Sequence, residues 1–126
     1  MNDSIRSEGV LPLTVAVSKP QPDVHLLRVA GELDIATAPL LADHLREHTG
    51  TAGVLVLDLS DVTLLAASGV ALIVDAHRDT GARGRLHLIG VTGNRPVARV
   101  LDLTGVLGLL DVHDDLPGLL AHLDGR

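Results

Sequence analysis

The stretch VLVLDLSDVTLLAASGVALIVDAHR, residues 54–78, decides the fold. Its opening, Val54-Leu55-Val56-Leu57-Asp58-Leu59, is a nearly unbroken apolar run, the pattern of a parallel strand covered on both faces. After a short loop, Ser68-Gly69 begins a second apolar run that turns polar at Asp75, with the Ser68 hydroxyl placed as a helix N-cap. Strand, loop and helix are therefore expected, with Ser68 at the helix mouth. The first turn of a helix leaves backbone N–H groups without partners and carries the positive end of the dipole, so such a mouth suits an anion such as phosphate.

Upstream, Leu11, Leu13, Val15 and Val17 alternate with Pro12, Thr14, Ala16 and Ser18, the period of a strand with one buried face, and Pro12 argues for a sheet edge. The prolines of KPQPD, residues 19–23, mark a turn into a second strand over residues 25–33, with Leu27, Val29 and Leu33 on one face. In GELDIATAP, residues 31–39, that strand ends, Thr37 is placed to cap a helix, and Pro39 falls in its first turn. Ala38, Leu41, Ala42 and Leu45 then give the helix a buried stripe that Gly50 stops.

Downstream, Val70, Leu72, Ile73, Val74 and Ala76 span roughly 200° of the second helix, an arc wide enough to leave part for a partner. Gly81 and Gly84 close this helix, and residues 86–91 read as a fourth strand. Thr92-Gly93-Asn94-Arg95-Pro96 leads into a third helix, with Val97, Val100, Leu101 and Thr104 on one face and Gly105 at its end. Residues 109–112 read as a short fifth strand. Asp114 or Asp115 caps a last helix whose apolar stripe is Leu116, Leu119, Leu120 and Leu123.

Residues 1–9 are polar and mixed and read as a flexible tail. Residues 10–126 then form one α/β domain, an antiparallel hairpin feeding right-handed βαβ crossovers, with a mixed sheet of four to five strands and about four helices. Loops at the carboxyl ends of parallel strands gather at one edge of such a sheet. Asp34, Asp58 with Ser60, Ser68 and Thr92-Gly93-Asn94 are expected to collect there.

Composition narrows the function. The 126 residues are 46% apolar yet contain no Phe, Tyr or Trp, so Leu, Ile and Val build the core, each contributing about 1.5–3 kcal/mol when buried. A formal charge of −6 and the lack of aromatic side chains leave no basic footprint and nothing for bases to stack on, so nucleic acid is not an expected direct partner. The absence of cysteine excludes disulfides and thiolate chemistry and fits a reducing compartment. No apolar run at the N-terminus has signal-peptide character, and none elsewhere reaches membrane length. The expected location is the cytoplasm, with no membrane partner.

Enzyme readings find little support. There is no Gly-x-Ser-x-Gly elbow, no Gly-x-Gly-x-x-Gly after a strand and no Walker lysine, so neither catalysis nor a cofactor is expected. A phosphoaspartate receiver built on Asp58 needs a lysine near the phosphate, and Lys19, the only lysine, lies in the first hairpin. Asp58 is read instead as an acceptor that organises a loop. His44 and His48 are spaced to share a metal, but no third ligand is evident and Glu47 is read as pointing round the helix, so a solvated helix face and no metal are expected.

Three segments in order, GELDIATAP, VLVLDLSDVTLLAASGVALIVDAHR and NRPVARVLDLTGV (residues 94–106), resemble the STAS domains of bacterial anti-sigma factor antagonists. The resemblance runs over residues 11–123. It implies partner switching: the antagonist binds an anti-sigma factor that is also a serine kinase, freeing a sigma factor, until the kinase phosphorylates the antagonist. It also implies a partner-binding surface made by Asp34 and Thr37, by Asp58 and Ser60, and by Ala66, Ala67, Ser68, Gly69, Val70, Leu72 and Ile73 around the second helix; a weak homodimer is left open. Asp34 matches an aspartate that the family keeps beside the phosphorylation site, although Asp here is also ordinary turn chemistry.

The family's acceptor is the first serine of an Asp-Ser-Ser-Gly motif at the mouth of that helix. This chain reads Ala66-Ala67-Ser68-Gly69, so Ala67 occupies the acceptor position and only the second serine is kept. Phosphorylation adds about −1.5 to −2 charge and ejects a partner by repulsion and desolvation, and an alanine cannot receive it. Three readings stay open: a constitutively competent antagonist, a shifted acceptor at Ser68, or a STAS module repurposed for another assembly or a small ligand.

Overall fold

The computed structural model describes residues 12–80 and 85–125; the expected tail, Leu11 and the helix-closing Gly81 and Gly84 lie outside the described residues. Strands β1 (Leu13–Gln21) and β2 (Val24–Leu33) form the antiparallel hairpin. There follow α1 (Ala38–Thr49), β3 (Val54–Leu65), α2 (Ala67–Thr80), β4 (Leu86–Ile89), α3 (Arg95–Leu103) and α4 (Leu116–Asp124). The sheet order is β1-β2-β3-β4, with β2, β3 and β4 mutually parallel. This is the mixed α/β sheet that the alternation of patterns predicts, with β1 at an edge.

The hairpin is tighter than the prolines suggest. Strand β1 runs through Lys19 and Pro20 to Gln21, its register shifting between Ser18 and Gln21, and only Pro22 and Asp23 make the turn. An edge strand tolerates Pro20 because one side of it needs no ladder donor. Leu13 is buried and Val15 half-buried, whereas Val17 is 42% exposed, so the alternation holds only in the first half of the strand. The expected fifth strand is also reduced. Leu107–Leu109 form a single 3-10 turn, and only Val112 bridges to Leu88. Leu88 accounts for both bonds of that bridge, its N–H donating to Asp111 O and its carbonyl accepting from His113 N, each at 2.8 Å.

The run from Val54 to Leu59 is apolar on both faces because both faces are covered. Leu55, Leu57 and Leu59 join Leu27, Val29, Leu86 and Leu88 in the main core, with Leu41 and Leu45 of α1, Val70 and Ile73 of α2, and Val97 and Leu101 of α3. On the opposite face Val56 packs with Val24, Ile89 and Leu119 of α4. The wide arc of α2 is spent inside the molecule: Val70, Ile73 and Ala76 are buried, Leu72 and Val74 pack on the same core, and Leu72 lines the cleft against Ala42 and Leu45 of α1. Val70 and Ile73 thus face the core, while the half-buried Leu72 lies in an open cleft between α1 and α2.

The α4 face also carries a histidine cluster. His87 of β4 is buried with Nδ1 3.1 Å from His113 Nε2, and the His122 ring centroid lies 5.0 Å from that of His113. Burial, then the neighbouring His122, push the His113 pKa below its ordinary value, against the opposing pull of Asp111 and Asp114. The folded state thus disfavours protonation, and the stability this contributes is complete above the unfolded pKa of about 6.5 and is lost as the pH falls through the lower folded value. Urea midpoints followed by far-UV circular dichroism are expected to fall between about pH 7 and pH 5, and His113→Gln to flatten that fall. An unchanged slope in the variant would assign the effect to other groups.

Candidate docking site

Strand β3 does not stop after Leu59 but continues to Leu65, pairing with β2 as far as Leu33↔Leu65 across two register shifts. Ala66 then locks the junction: its N–H donates to Leu33 O at 2.9 Å, and its carbonyl accepts from Gly69 N at 3.0 Å and Val70 N at 3.1 Å. The helix therefore starts at Ala67, two residues earlier than a cap at Ser68 predicts. The residue ahead of it is Ala66, which has no side-chain acceptor, and Ser68 lies half-buried within the first turn rather than at the cap.

Gly69 explains the close approach. A Cβ there would stand 2.7 Å from Leu33 Cγ and 2.8 Å from Leu65 Cδ1, so the first turn packs on the ends of β2 and β3 only because this residue has none. Ser68→Ala therefore removes no cap. Losing a true N-cap costs ~1 kcal/mol, whereas this substitution is expected to change stability by less than about 0.5 kcal/mol. Equilibrium urea unfolding separates the two outcomes.

The loop facing this junction is organised by Asp34. Its Oδ1 accepts from Ala36 N at 3.0 Å and Thr37 N at 3.1 Å. The Thr37 hydroxyl accepts from Asp34 N at 2.9 Å and donates to Glu32 O at 2.7 Å. Thr37 occupies the N-cap position without making a side-chain cap, because its hydroxyl is committed backward to the loop. This bracing leaves Ile35 81% exposed and Ala36 exposed. Leu64, at 45%, and Ala67 are exposed at the other side of the Leu33–Ala66 contact. Exposed apolar side chains thus flank the start of α2 beside the Asp34 loop, and no ionisable side chain of α2 precedes Asp75.

Asp58 and Ser60 belong to a different neighbourhood. Asp58 Oδ1 accepts from Ser60 N at 3.0 Å and Ser60 Oγ at 2.7 Å, the local bracing that the sequence suggests, within a strand rather than at its tip. Gly90, at φ +76°, passes so close that a Cβ would stand 2.6 Å from Asp58 Oδ1. From Asp58 to Leu65 the strand advances seven residues, roughly 20 Å of extended chain. The single edge expected from the sequence is thus two sites: Asp34 with Ala66, Ala67 and Ser68 at one, and Asp58, Ser60 and Asn94 at the other.

Asn94, which the sequence places at the sheet edge in the loop entering α3, has a further role that no motif announces. It caps α3, with Oδ1 accepting from Val97 N, and its buried Nδ2 donates to Leu59 O at 2.9 Å and Val62 O at 2.7 Å, with Ser60 O at 3.4 Å. Pairing of β3 with β4 ends at Asp58↔Ile89, so carbonyls beyond that point face a missing strand, and one amide takes its place. The Asn-Arg-Pro sequence signalled the cap; nothing local signalled the carbonyls. Glu47 does not point round the helix: its carboxylate comes together with His44 and His48.

The model of the STAS domain matches residues 16–117. This chain belongs to the STAS domain family. Solved structures agree on the fold of the STAS chain. An anti-sigma factor antagonist from Mycobacterium paratuberculosis superposes with a TM-score of 0.78 at 23% identity, covering 87% of this chain and 92% of that one. Moorella thermoacetica RsbS gives 0.70 at 21% identity, covering 88% and 95%. The unphosphorylated form of the anti-sigma factor antagonist SpoIIAA gives 0.67 at 15% identity, covering 90% and 100%. No curated protein matches the sequence. Among the described residues no helix is long and apolar enough to cross a membrane.

Proposed function

We propose that this STAS chain is an anti-sigma factor antagonist that binds an anti-sigma factor with serine-kinase character and is not released from it by phosphorylation. The observation that carries the reading is the exposed Ala67 at the first position of α2, the place of the family's acceptor serine, within the rim of Ile35, Ala36 and Leu64. Exposed apolar side chains around a helix start desolvate readily against a partner. With a methyl group at the acceptor position, the surface remains in its binding-competent form whether or not ATP is present.

Ser68 is a poorer acceptor than the family's residue. It is half-buried beside Gly69 and Val70, both buried, and a kinase needs its target hydroxyl free of packing. The proposed activity is binding rather than catalysis.

Native mass spectrometry of the chain with anti-sigma kinases of its own organism, in magnesium and ATP, reads complex mass and phosphate together. A complex without phosphate on this chain is the expected result. Phosphate that vanishes in Ser68→Ala, with loss of the complex, would instead move the switch to Ser68. Neither complex nor phosphate with any such kinase would leave a STAS module serving another assembly.

A further inference from the structure

The end of α1 remote from the Asp34 loop carries a second constellation. His44, Glu47 and His48 occupy i, i+3 and i+4 in the last turns of the helix, so they share one face. One ligating atom from each lies within 4.8 Å of the other two, and Glu47 Oε2 stands 4.0 Å from His48 Nε2. Tetrahedral zinc, with bonds of about 2.0–2.2 Å to nitrogen and oxygen, holds its donors about 3.3–3.5 Å apart. Rotation about the side-chain bonds of His44 and Glu47, half-buried and exposed respectively, closes that difference. We propose that His44, Glu47 and His48 bind a divalent transition cation, zinc foremost, leaving a fourth position open to water or to a partner's side chain.

The other nitrogen of His48 supplies an independent observation. His48 is buried, and its Nδ1 lies 2.8 Å from Nδ1 of the buried His25 at the start of β2. A neutral imidazole carries one proton, so when Nε2 coordinates a metal the proton sits on Nδ1 and requires an acceptor. His25 Nδ1 is that acceptor. The two rings meet edge to face at 79°, which fixes the plane of His48 and turns Nε2 toward Glu47.

Two further features suit a cation. The carbonyl end of a helix dipole favours positive charge in its last turn, and Arg46, the cation nearest in sequence, is engaged by Asp43. Two imidazoles and one carboxylate match zinc rather than magnesium or calcium, which prefer all-oxygen shells. A bound ion would tie the last turns of α1 through His48 and His25 to the sheet, away from the docking rim, so the site stands independently of the proposed partner.

The test uses the tag-free chain and zinc chloride, in competition with a chromogenic zinc indicator read in visible light, since the chain has no aromatic absorbance of its own. One zinc per chain is expected, with a Kd tighter than about 50 µM. His44→Ala and Glu47→Gln are each expected to weaken it by at least about tenfold. Both positions tolerate change without loss of fold, which thermal melts of the metal-free variants verify. His122→Ala, in the histidine cluster under α4, is expected to bind as the parent does. Weaker binding by the parent chain, or parent-like affinity in either ligand variant, overturns the three-residue site. Loss of zinc in His122→Ala would place the metal in the α4 cluster and overturn the proposal equally.

Discussion

Ala67→Glu is expected to weaken the complex with the anti-sigma kinase by at least about 100-fold, which is about 2.7 kcal/mol. The side chain at this position is exposed and sits in an apolar rim made by Ile35, Ala36 and Leu64. A carboxylate there would have to be desolvated on docking, and a mismatched or unpaired charge in an interface costs several kcal/mol. The fold should be unaffected, because glutamate in a helix's first turn is favourable to the dipole. Ala67→Ser makes the complementary case: it restores a hydroxyl to the family's acceptor position, and the kinase with ATP should then phosphorylate it and dissolve the complex. Isothermal titration for the first variant and native mass spectrometry for the second read these results. Parent-like affinity in Ala67→Glu would show that the start of α2 is not the docking surface.

Asn94→Ala is expected to destabilise the protein by about 3–4 kcal/mol, of which the lost cap accounts for ~1 kcal/mol and stranded buried carbonyls for the rest. Against a total stability of about 5–15 kcal/mol this is a large share, a drop in Tm of roughly 10–15 °C. Asn94→Asp distinguishes the two roles. Aspartate caps a helix as well as asparagine does, but it would set a carboxylate against Leu59 O and Val62 O, where Nδ2 now donates. If the cap were all that mattered, Asn94→Asp would be neutral. The geometry instead predicts a loss at least as large as that of the alanine variant, read as a lower urea midpoint at constant m-value.

The sequence places Asn94 at the sheet edge but not against its carbonyl partners, for a reason general to this molecule. Its cap bond spans three residues, and an Asn before Arg-Pro announces it; its carbonyl partners lie 32 to 35 residues away, and no local pattern encodes them. The same division runs through the docking site. The sequence places Asp34 in a turn and the start of α2 after an apolar strand, and both are found there. It also assigns the cap to Ser68 and a capping hydroxyl to Thr37, and both fail for tertiary reasons. Leu33 captures the Ala66 N–H and starts the helix early, while the carbonyl of Glu32 draws the Thr37 hydroxyl back into the loop.

By itself the sequence determined what depends on period and on neighbours within one helical turn. The doubly covered strand at Val54–Leu59, the apolar stripes of α1, α3 and α4, the edge position of β1 and the order of motifs shared with the STAS family are all of that kind, because alternation and i, i+3, i+4 spacing are fixed by local geometry. Only the tertiary structure decided where β3 ends, because residues 60–65 mix exposed Ser60, Asp61, Thr63 and Leu64 with buried Val62 and Leu65, and two register shifts against β2 break the period. It likewise decided that Asp58 and Asp34 belong to different sites, and that His25 stands behind His48. Each of those facts rests on which backbone atoms of distant strands meet, and that is set by sheet register and packing rather than by any residue's own neighbours.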